Sequence, residues 1–258
     1  MPTLNITIVQ SDLRWHDATA NRDRFSRIIG SLDRPTDLIV LPEMFTTGFS
    51  MDAPQLAESP TGESVCWMRD MAATSGAAIC GSLITVDRGE FYNRFFCVMP
   101  DGRQVSYDKR HLFRLADEHS HYSAGHEITT FELKGFRIRP LICYDLRFPV
   151  WSRNRGDYDV LLYVANWPSR RHLAWATLLR ARAIENLSYC IGVNRVGTDG
   201  NDLPYLGGSA IIDYLGQDLA DLGDREGTAT ATLDLDELRR FRDRFAFHED
   251  ADDFTIQL

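Results

Sequence analysis

Three side chains that could act together in acyl transfer each follow an apolar, strand-like run of the sequence. Glu43 follows the run 38–42, Lys109 follows 105–108, and Cys143 follows 139–142. A thiol must lose its proton before it attacks a carbonyl carbon, and a nearby carboxylate can accept that proton. A lysine ammonium can stabilise the negative oxygen that develops during the attack. The three residue types are therefore a sufficient set for nucleophilic acyl transfer.

The sequence around Cys143 predicts that a buried strand delivers the thiol to a sharp strand-to-helix turn. Apolar residues recur from Phe136 to Ile142, polar residues follow at once, and a helix-like segment covers 150–154. Free backbone N–H groups at such a turn, beginning with that of Tyr144, can stabilise a thiolate or an oxyanion. Without the rest of the chain, a buried structural cysteine is the commoner interpretation.

Other interpretations of these residues remain open at this point. Glu43 could be a helix cap or a surface acid, and Lys109 could be a solvated loop charge. A papain-like cysteine–histidine pair is disfavoured because the C-G-[SA]-C-[WY] pattern is absent. His111 lies close to Lys109 and is interpreted as a structural residue that hydrogen-bonds the loop. The other cysteines are interpreted as packing residues: Cys66, Cys80, Cys97 and Cys190.

Composition limits the class of protein. The 258 residues are 44% hydrophobic, which favours one domain over 1–258 with a sizeable core. Five scattered cysteines, an odd number, favour free thiols in a reducing compartment over disulfides or a zinc site. The N-terminus has no signal-like pattern and no window of 18 apolar residues occurs, so a cytoplasmic protein is expected.

Charge limits the class of partner. The formal net charge of −9 disfavours nucleic acid and anionic membranes as partners. A small anionic substrate is still allowed, because a local cluster of Arg or Lys can override the net charge.

Helical and strand-like segments alternate along the whole chain, which predicts an α/β class with helices covering sheet faces. Strands are predicted at 4–10, 37–41, 78–86, 91–98, 105–107, 129–133, 136–142, 160–164, 189–196, 208–212 and 228–233. Helices are predicted through Ile29, with Asp17 or Thr19 as the cap, at 61–75, ended by Gly76, and at 172–186 and 235–245. The strand at 4–10 is expected to be half-buried, and a turn is predicted at 197–201. The segment 108–125 has no period and is dense in charged residues, as functional loops often are.

Three motifs resemble those of the nitrilase, or carbon–nitrogen hydrolase, superfamily. They are Leu-Pro-Glu-Met-Phe at 41–45, Tyr-Asp-Lys-Arg-His-Leu-Phe at 107–113 and Cys-Tyr-Asp-Leu-Arg-Phe-Pro at 143–149. They occur in the order of the family, and further similarity at 163–168, 180–186 and 194–197 extends the resemblance over essentially the whole chain. The branch that the sequence resembles is the bacterial omega-amidases, which deamidate 2-oxoglutaramate and 2-oxosuccinamate.

The resemblance implies a four-layer α-β-β-α sandwich, a homodimer formed in part by 172–186, and no metal or organic cofactor. It implies that Cys143 is the nucleophile, Glu43 the proton acceptor, and Lys109 with the Tyr144 N–H the oxyanion donors. The second glutamate of the family falls best at Glu118, with Asp117 as the alternative.

The substrate implied is a small amide, and the residues that bind it are less defined by the sequence. Asn166 and Trp167 follow a strand end and are expected to line the pocket. The cations available for a substrate carboxylate are Arg114, Arg147 and Arg195, although Arg147 is expected instead to brace the turn through a carboxylate. The rival functions are another amidase, a carbamoylase or a nitrilase of the same superfamily, or a catalytically silent binding scaffold.

Overall fold

The computed structural model describes residues 2–256, and its strands form two six-stranded sheets and one two-stranded ribbon. The strands are β1 Thr3–Gln10, β2 Leu38–Val40, β3 Ala78–Asp87, β4 Glu90–Val98, β5 Gln104–Asp108, β6 Phe131–Leu133, β7 Phe136–Ile142, β8 Val160–Ala165, β9 Tyr189–Asn194, β10 Val196–Thr198, β11 Pro204–Leu206, β12 Ala210–Ile212, β13 Asp218–Asp221 and β14 Gly227–Asp234. The helices are α1 Ala18–Gly30, α2 Ala53–Leu56, α3 Glu63–Ser75, α4 Pro149–Ser152, α5 His172–Asn186 and α6 Leu235–Arg244.

The two sheets have related strand orders. The first runs β14-β1-β2-β3-β4-β5 and the second runs β13-β12-β9-β8-β7-β6. Strands β1, β2 and β3 are parallel in the first sheet, as are β7, β8 and β9 in the second. The carboxyl ends of parallel strands are where α/β proteins place their chemistry. Glu43 lies just beyond β2, Cys143 just beyond β7 and Asn166 just beyond β8.

The sheets pack face to face, and helices cover their outer faces. One apolar cluster joins residues of both sheets, among them Ile6 and Phe95 of the first with Leu162 of the second. A separate cluster packs Phe25 of α1 and Val65 of α3 against the outer face of the first sheet, while α5 packs against β9 and β12 of the second. The expected α-β-β-α sandwich is confirmed.

Several local predictions agree with the structure. Asp17 caps α1 by accepting the Ala20 N–H at 2.9 Å. Gly76 ends α3 at φ +69, a left-handed conformation that glycine adopts without strain. The helix predicted at 172–186 has those bounds. Within residues 2–256 there is no helix long and apolar enough to cross a membrane.

Other predictions were incomplete. The first strand was expected to be half-buried, but β1 is buried on both faces along most of its length because the second sheet covers one side and helices the other. The segment predicted as a turn at 197–201 is part of a hairpin in which β10 pairs with β11. Strand β13 was not predicted because its residues are polar and largely exposed.

Candidate active site

The Cys143 thiol lies on a tight elbow directly after β7. Cys143 has φ +44, in the left-handed region, and begins a 3-10 turn that runs to Arg147. Such a conformation costs on the order of 1–3 kcal/mol in a residue other than glycine. It is held in place by the buried Asp145 carboxylate, which accepts hydrogen bonds from the Ile142 N–H at 3.0 Å and the Tyr107 hydroxyl at 2.8 Å.

His111 also supports the elbow. Its backbone N–H donates to Asp145 Oδ1 at 2.9 Å, and its Nδ1 lies 2.8 Å from the same oxygen. The imidazole ring stacks on Phe148 with 3.7 Å between ring centroids. This geometry agrees with the interpretation of His111 as a structural residue that holds the loop.

Lys109 brings a cation to the thiol from the end of β5. Its side chain is fully buried, and its Nζ lies 3.1 Å from Glu43 Oε1 and 2.9 Å from Glu118 Oε2. The backbone of Lys109 is fixed on both sides, because its N–H donates to the Asn93 carbonyl and its carbonyl accepts from the Gly125 N–H. The ammonium therefore has a single position, between two carboxylates.

Glu43 is oriented by donors from both sheets. Its Oε1 accepts from Asn93 Nδ2 at 2.7 Å as well as from Lys109. Its Oε2 accepts from the Asn166 N–H at 2.7 Å, and its backbone carbonyl accepts from Asn166 Nδ2 at 2.6 Å. The Cys143 Sγ lies 3.9 Å from the Asn166 carbonyl, and Glu43 is near enough for its carboxylate to raise the pKa of the thiol. The predicted acid, cation and thiol thus come together in one buried site.

Burial and charge determine the protonation states of this group. Burial, reinforced by the Glu43 carboxylate, raises the pKa of the Cys143 thiol well above its ordinary value. Burial alone would lower the pKa of Lys109, but the carboxylates of Glu118 and Glu43 outweigh it and raise that pKa. The resting site therefore contains a neutral thiol and an ammonium, and the thiol needs a proton acceptor in order to attack.

Glu118 occupies the position expected for the second glutamate. It lies in a 3-10 turn, Glu118–Ser120, and its Oε2 accepts from the Phe113 N–H at 2.5 Å in addition to Lys109. Burial raises the pKa of Glu118, and the Lys109 ammonium opposes that rise. The alternative, Asp117, does not occupy this position: it is exposed, and its carboxylate accepts from the Ser120 hydroxyl and lies 3.6 Å from His119 Nδ1.

Asn93 joins the two glutamates and was missed by sequence reasoning. It lies on β4 with no exposed surface, donates to Glu43 at 2.7 Å and lies 3.4 Å from Glu118 Oε1. Its own Oδ1 accepts from the Ser82 hydroxyl at 2.8 Å, which fixes the orientation of the amide. An asparagine inside the apolar run 91–98 was the signal, since a buried amide needs polar partners.

A cavity of about 400 Å³ opens over the thiol, and the three predicted pocket residues line it: Tyr144, Asn166 and Trp167. Tyr144 packs edge-on against Phe113 and Phe148, which sets the wall beside the elbow. Asn166 Oδ1 is buried and has no hydrogen-bond partner within residues 2–256. No group of three or more metal-binding side chains occurs in the same described range.

The arginines differ from expectation. Arg147 does not brace the elbow through a carboxylate. Its guanidinium lies over the Trp167 ring at 5.0 Å and faces the cavity, and Asp145 braces the elbow instead. Arg195 is buried outside the cavity lining and donates to Asp12 at 2.7 Å. Arg114 is exposed and also lies outside the lining, whereas Arg171 lies within it.

Comparison with known proteins gave consistent matches over the whole chain. A family model described as carbon-nitrogen hydrolase matches residues 5–243. The sequence is 48% identical to "Omega-amidase YafV" of Yersinia enterocolitica, over 99% of this chain and 100% of that protein. It is 34% identical to "2-oxoglutaramate amidase" of Bacillus subtilis (strain 168), over 95% and 96% of the two chains. The solved structure of XC1258 from Xanthomonas campestris, described as a CN-hydrolase superfamily protein with an arsenic adduct in the active site, is 48% identical with a TM-score of 0.97, over 100% of both chains.

Proposed function

The chain belongs to the carbon–nitrogen hydrolase family, and we propose that Cys143, Glu43 and Lys109 carry out its reaction. The protein is a hydrolase of C–N bonds in amides, of the omega-amidase type. Its substrates are monoamides of dicarboxylates such as 2-oxoglutaramate and 2-oxosuccinamate, which it converts to the acid and ammonia. The observation that carries the assignment of residues is the convergence of the three side chains beneath one cavity.

The first half of the reaction forms a thioester. Cys143 Sγ attacks the amide carbon while the thiol proton passes to Glu43. The tetrahedral intermediate then collapses, Glu43 returns the proton to the leaving nitrogen, and ammonia departs. The raised pKa of Cys143 makes this proton transfer necessary, because few thiolates are present beforehand.

The charge on the intermediate is held by donors that are already in place. Lys109 Nζ and the Tyr144 N–H stabilise the oxyanion, and neither needs to reorganise during the reaction. Removing one such donor typically lowers turnover by about 10²–10³-fold. Glu118 keeps Lys109 in position through its hydrogen bonds of 2.9 and 3.0 Å to Nζ.

The second half of the reaction hydrolyses the thioester. Glu43, now unprotonated, accepts a proton from a water molecule that attacks the acyl carbon. The second tetrahedral intermediate releases the carboxylic acid, and the proton returns to the Cys143 sulfur. The donors that held the first oxyanion hold this one too.

The substrate class is tested by ammonia release from 2-oxoglutaramate, 2-oxosuccinamate, glutamine and a simple nitrile, compared side by side. We expect the two oxo-acid amides to be the best substrates. If the enzyme preferred a carbamoyl compound or a nitrile, the proposed substrate class would be wrong and a rival function of the same superfamily would be favoured.

We also propose that the protein is a homodimer and acts in the cytoplasm. The dimer is supported by apolar side chains exposed on and near α5: Leu173 is 80% exposed, Val150 56% and Ile184 51%. The location is supported by the nucleophile itself, since a cytoplasmic compartment keeps such a thiol reduced. Sedimentation of the parent and of Leu173→Glu tests the dimer, and a monomeric parent would contradict it.

A further inference from the structure

Three arginines line the cavity, Arg147, Arg170 and Arg171, and the guanidinium groups of Arg147 and Arg171 rest on aromatic rings that also line it. Arg147 belongs to the elbow, and its guanidinium lies over the Trp167 ring at 5.0 Å. Arg171 belongs to the short turn before α5, and its guanidinium lies over the Phe113 ring at 4.9 Å. Both rings also line the cavity. Aromatic faces hold a guanidinium in place without using its N–H donors, which remain available to a ligand.

Neither arginine is neutralised by the protein. Among residues 2–256 no carboxylate lies within 4 Å of Arg147 or Arg171, whereas several other arginines are paired, as Arg94 is with Asp108 at 2.6 Å. The nearby acid of the lining, Asp199, is already engaged by the Tyr205 hydroxyl and the Asn201 N–H. Arg171 is partly buried, whereas Arg147 is more exposed and lies at the cavity rim beside it. Two cationic groups without a carboxylate partner at one cavity indicate a site for an anion that comes from outside.

The charges around Arg171 also favour a bound anion. Burial, and after it the neighbouring charges of Arg170 and Arg147, lower the pKa of Arg171. The Cys143 sulfur is near enough to raise the pKa of Arg171 in the opposite direction. A bound carboxylate would reduce the repulsion among the arginines. A small substrate whose amide is at the thiol could place its carboxylate at these arginines.

The position of Arg171 is tied to the catalytic group through the backbone. The Arg171 N–H donates to the Pro168 carbonyl at 3.0 Å, and its carbonyl accepts from Trp167 Nε1 at 2.8 Å. The same segment begins at Asn166, whose N–H holds Glu43. One short, internally bonded segment therefore positions both the proton acceptor and the guanidinium.

We propose that Arg171, with Arg147, binds the carboxylate at the end of the substrate remote from the scissile amide, and so determines the preference for dicarboxylate monoamides. This inference rests on the proposed function. It adds a specificity-determining residue, Arg171, that the sequence did not indicate.

The test compares two amides of similar length, the anionic glutaric acid monoamide and the uncharged pentanamide. Both are assayed with the parent enzyme and with Arg171→Leu, Arg171→Lys and Arg147→Leu. We expect the ratio of kcat/KM for the anionic to that for the uncharged amide to fall about 10- to 100-fold in each leucine variant, as for the loss of a charge-assisted hydrogen bond. In Arg171→Lys this ratio should fall less, because lysine keeps the charge but lacks the planar, bidentate donor. Arg114→Leu, an exposed arginine outside the cavity, is the matched control and should leave the ratio unchanged.

The outcomes separate this inference from the proposed function. If the parent hydrolyses glutaric acid monoamide well and the ratio is unchanged in Arg171→Leu, or both substrates decline equally, the carboxylate role is wrong while the amidase assignment stands. If the parent releases no ammonia from any carboxylated amide, the proposed function fails, and this inference fails with it. Turnover of pentanamide by the leucine variants reports whether the site has folded.

Discussion

Glu43 and Asn166 lie 123 residues apart in the sequence and hold each other through two hydrogen bonds, from the Asn166 N–H to Glu43 Oε2 at 2.7 Å and from Asn166 Nδ2 to the Glu43 carbonyl at 2.6 Å. Glu43 follows β2 of the first sheet and Asn166 follows β8 of the second. The proton acceptor therefore belongs to one sheet and one of its orienting donors to the other. The site depends on the packing of the two sheets as much as on any single motif.

Replacing Glu43 by Gln should separate proton transfer from binding. The amide keeps the approximate shape but cannot accept the thiol proton, so we expect kcat to fall by about 10²–10⁴-fold, with a smaller change in KM. The pKa of Cys143 is raised chiefly by burial, which the substitution leaves in place, while it removes the smaller rise due to the Glu43 carboxylate. Alkylation of Cys143 by iodoacetamide in the variant should therefore be slow at neutral pH and rise steadily through alkaline pH as the thiolate forms. Alkylation in the variant that equals the parent at neutral pH would contradict the role of Glu43.

Replacing Asn93 by Ala should impair catalysis through Glu43 rather than through substrate binding. The variant removes one of the two donors to Glu43 Oε1 and leaves only Lys109, and we expect kcat to fall by about 10–100-fold, as for the loss of a hydrogen bond to a charged group. KM should change little, because Asn93 does not line the cavity. Asn5→Ala is the control: Asn5 lies on β1 of the same sheet and bonds only to Thr232 through its side chain. If Asn5→Ala lowered kcat as much as Asn93→Ala, Asn93 would contribute only to the stability of the fold.

The three side chains that we propose as catalytic could be selected from the sequence because each follows a strand-like run and stands in a recognisable motif. It predicted the caps and turns for a similar reason: Asp17 and Gly76 act through local chemistry that does not depend on the rest of the fold. Glu118 was expected from the family resemblance, and its carboxylate lies beside the Lys109 ammonium. These are all cases in which a few neighbouring residues determine the outcome.

The sequence could not predict relations that arise only when the two sheets pack. Asn93 was not singled out, because its partners Glu43 and Ser82 come from other strands. The roles of Arg147, Arg171 and Arg195 could not be separated for the same reason. Whether an arginine meets an aspartate or a cavity depends on the path of distant segments, as Arg195 and Asp12 illustrate at a separation of 183 residues.

Replacing Lys109 by Gln should reduce stability in a pH-dependent manner. The change leaves Glu43 and Glu118 buried together without a cation, and breaking a buried pair of this kind costs about 3–5 kcal/mol. The pKa of Glu118 is already raised in the folded protein, and loss of Lys109 raises it further. A carboxyl whose pKa is higher in the folded than in the unfolded state contributes stability at low pH that is lost as pH rises through the folded value.

We therefore expect the variant to be closer to the parent in unfolding midpoint at about pH 5 than at about pH 8, as measured by thermal or urea unfolding. Lys134→Gln is the control, since Lys134 forms a surface pair with Asp37 at 2.9 Å and is 48% exposed. That change should cost less than about 1 kcal/mol at either pH. If the loss of stability in Lys109→Gln were larger at about pH 5 than at about pH 8, Glu43 and Glu118 would not be the charges that Lys109 offsets.

Glutamine should be a poor substrate compared with 2-oxoglutaramate. It has the same amide and carboxylate, but it carries an ammonium where 2-oxoglutaramate has a ketone, and Arg147, Arg170 and Arg171 line the cavity. We expect kcat/KM to be at least about tenfold lower, equivalent to roughly 1.4 kcal/mol. Glutaric acid monoamide, which lacks both groups, should resemble 2-oxoglutaramate more closely. Equal rates for glutamine and 2-oxoglutaramate would mean that the arginines do not face the substrate.

The central claim is that Cys143 forms a thioester with the acyl part of a dicarboxylate monoamide. The most direct measurement is mass spectrometry of enzyme quenched during turnover of 2-oxoglutaramate, together with ammonia release by the parent, Cys143→Ala and Cys66→Ala. We predict a 2-oxoglutaryl group on the peptide that contains Cys143, no ammonia release by Cys143→Ala, and parental activity in Cys66→Ala, whose cysteine is exposed. An acyl group on another residue, or ammonia release by Cys143→Ala near the parental rate, would contradict the account.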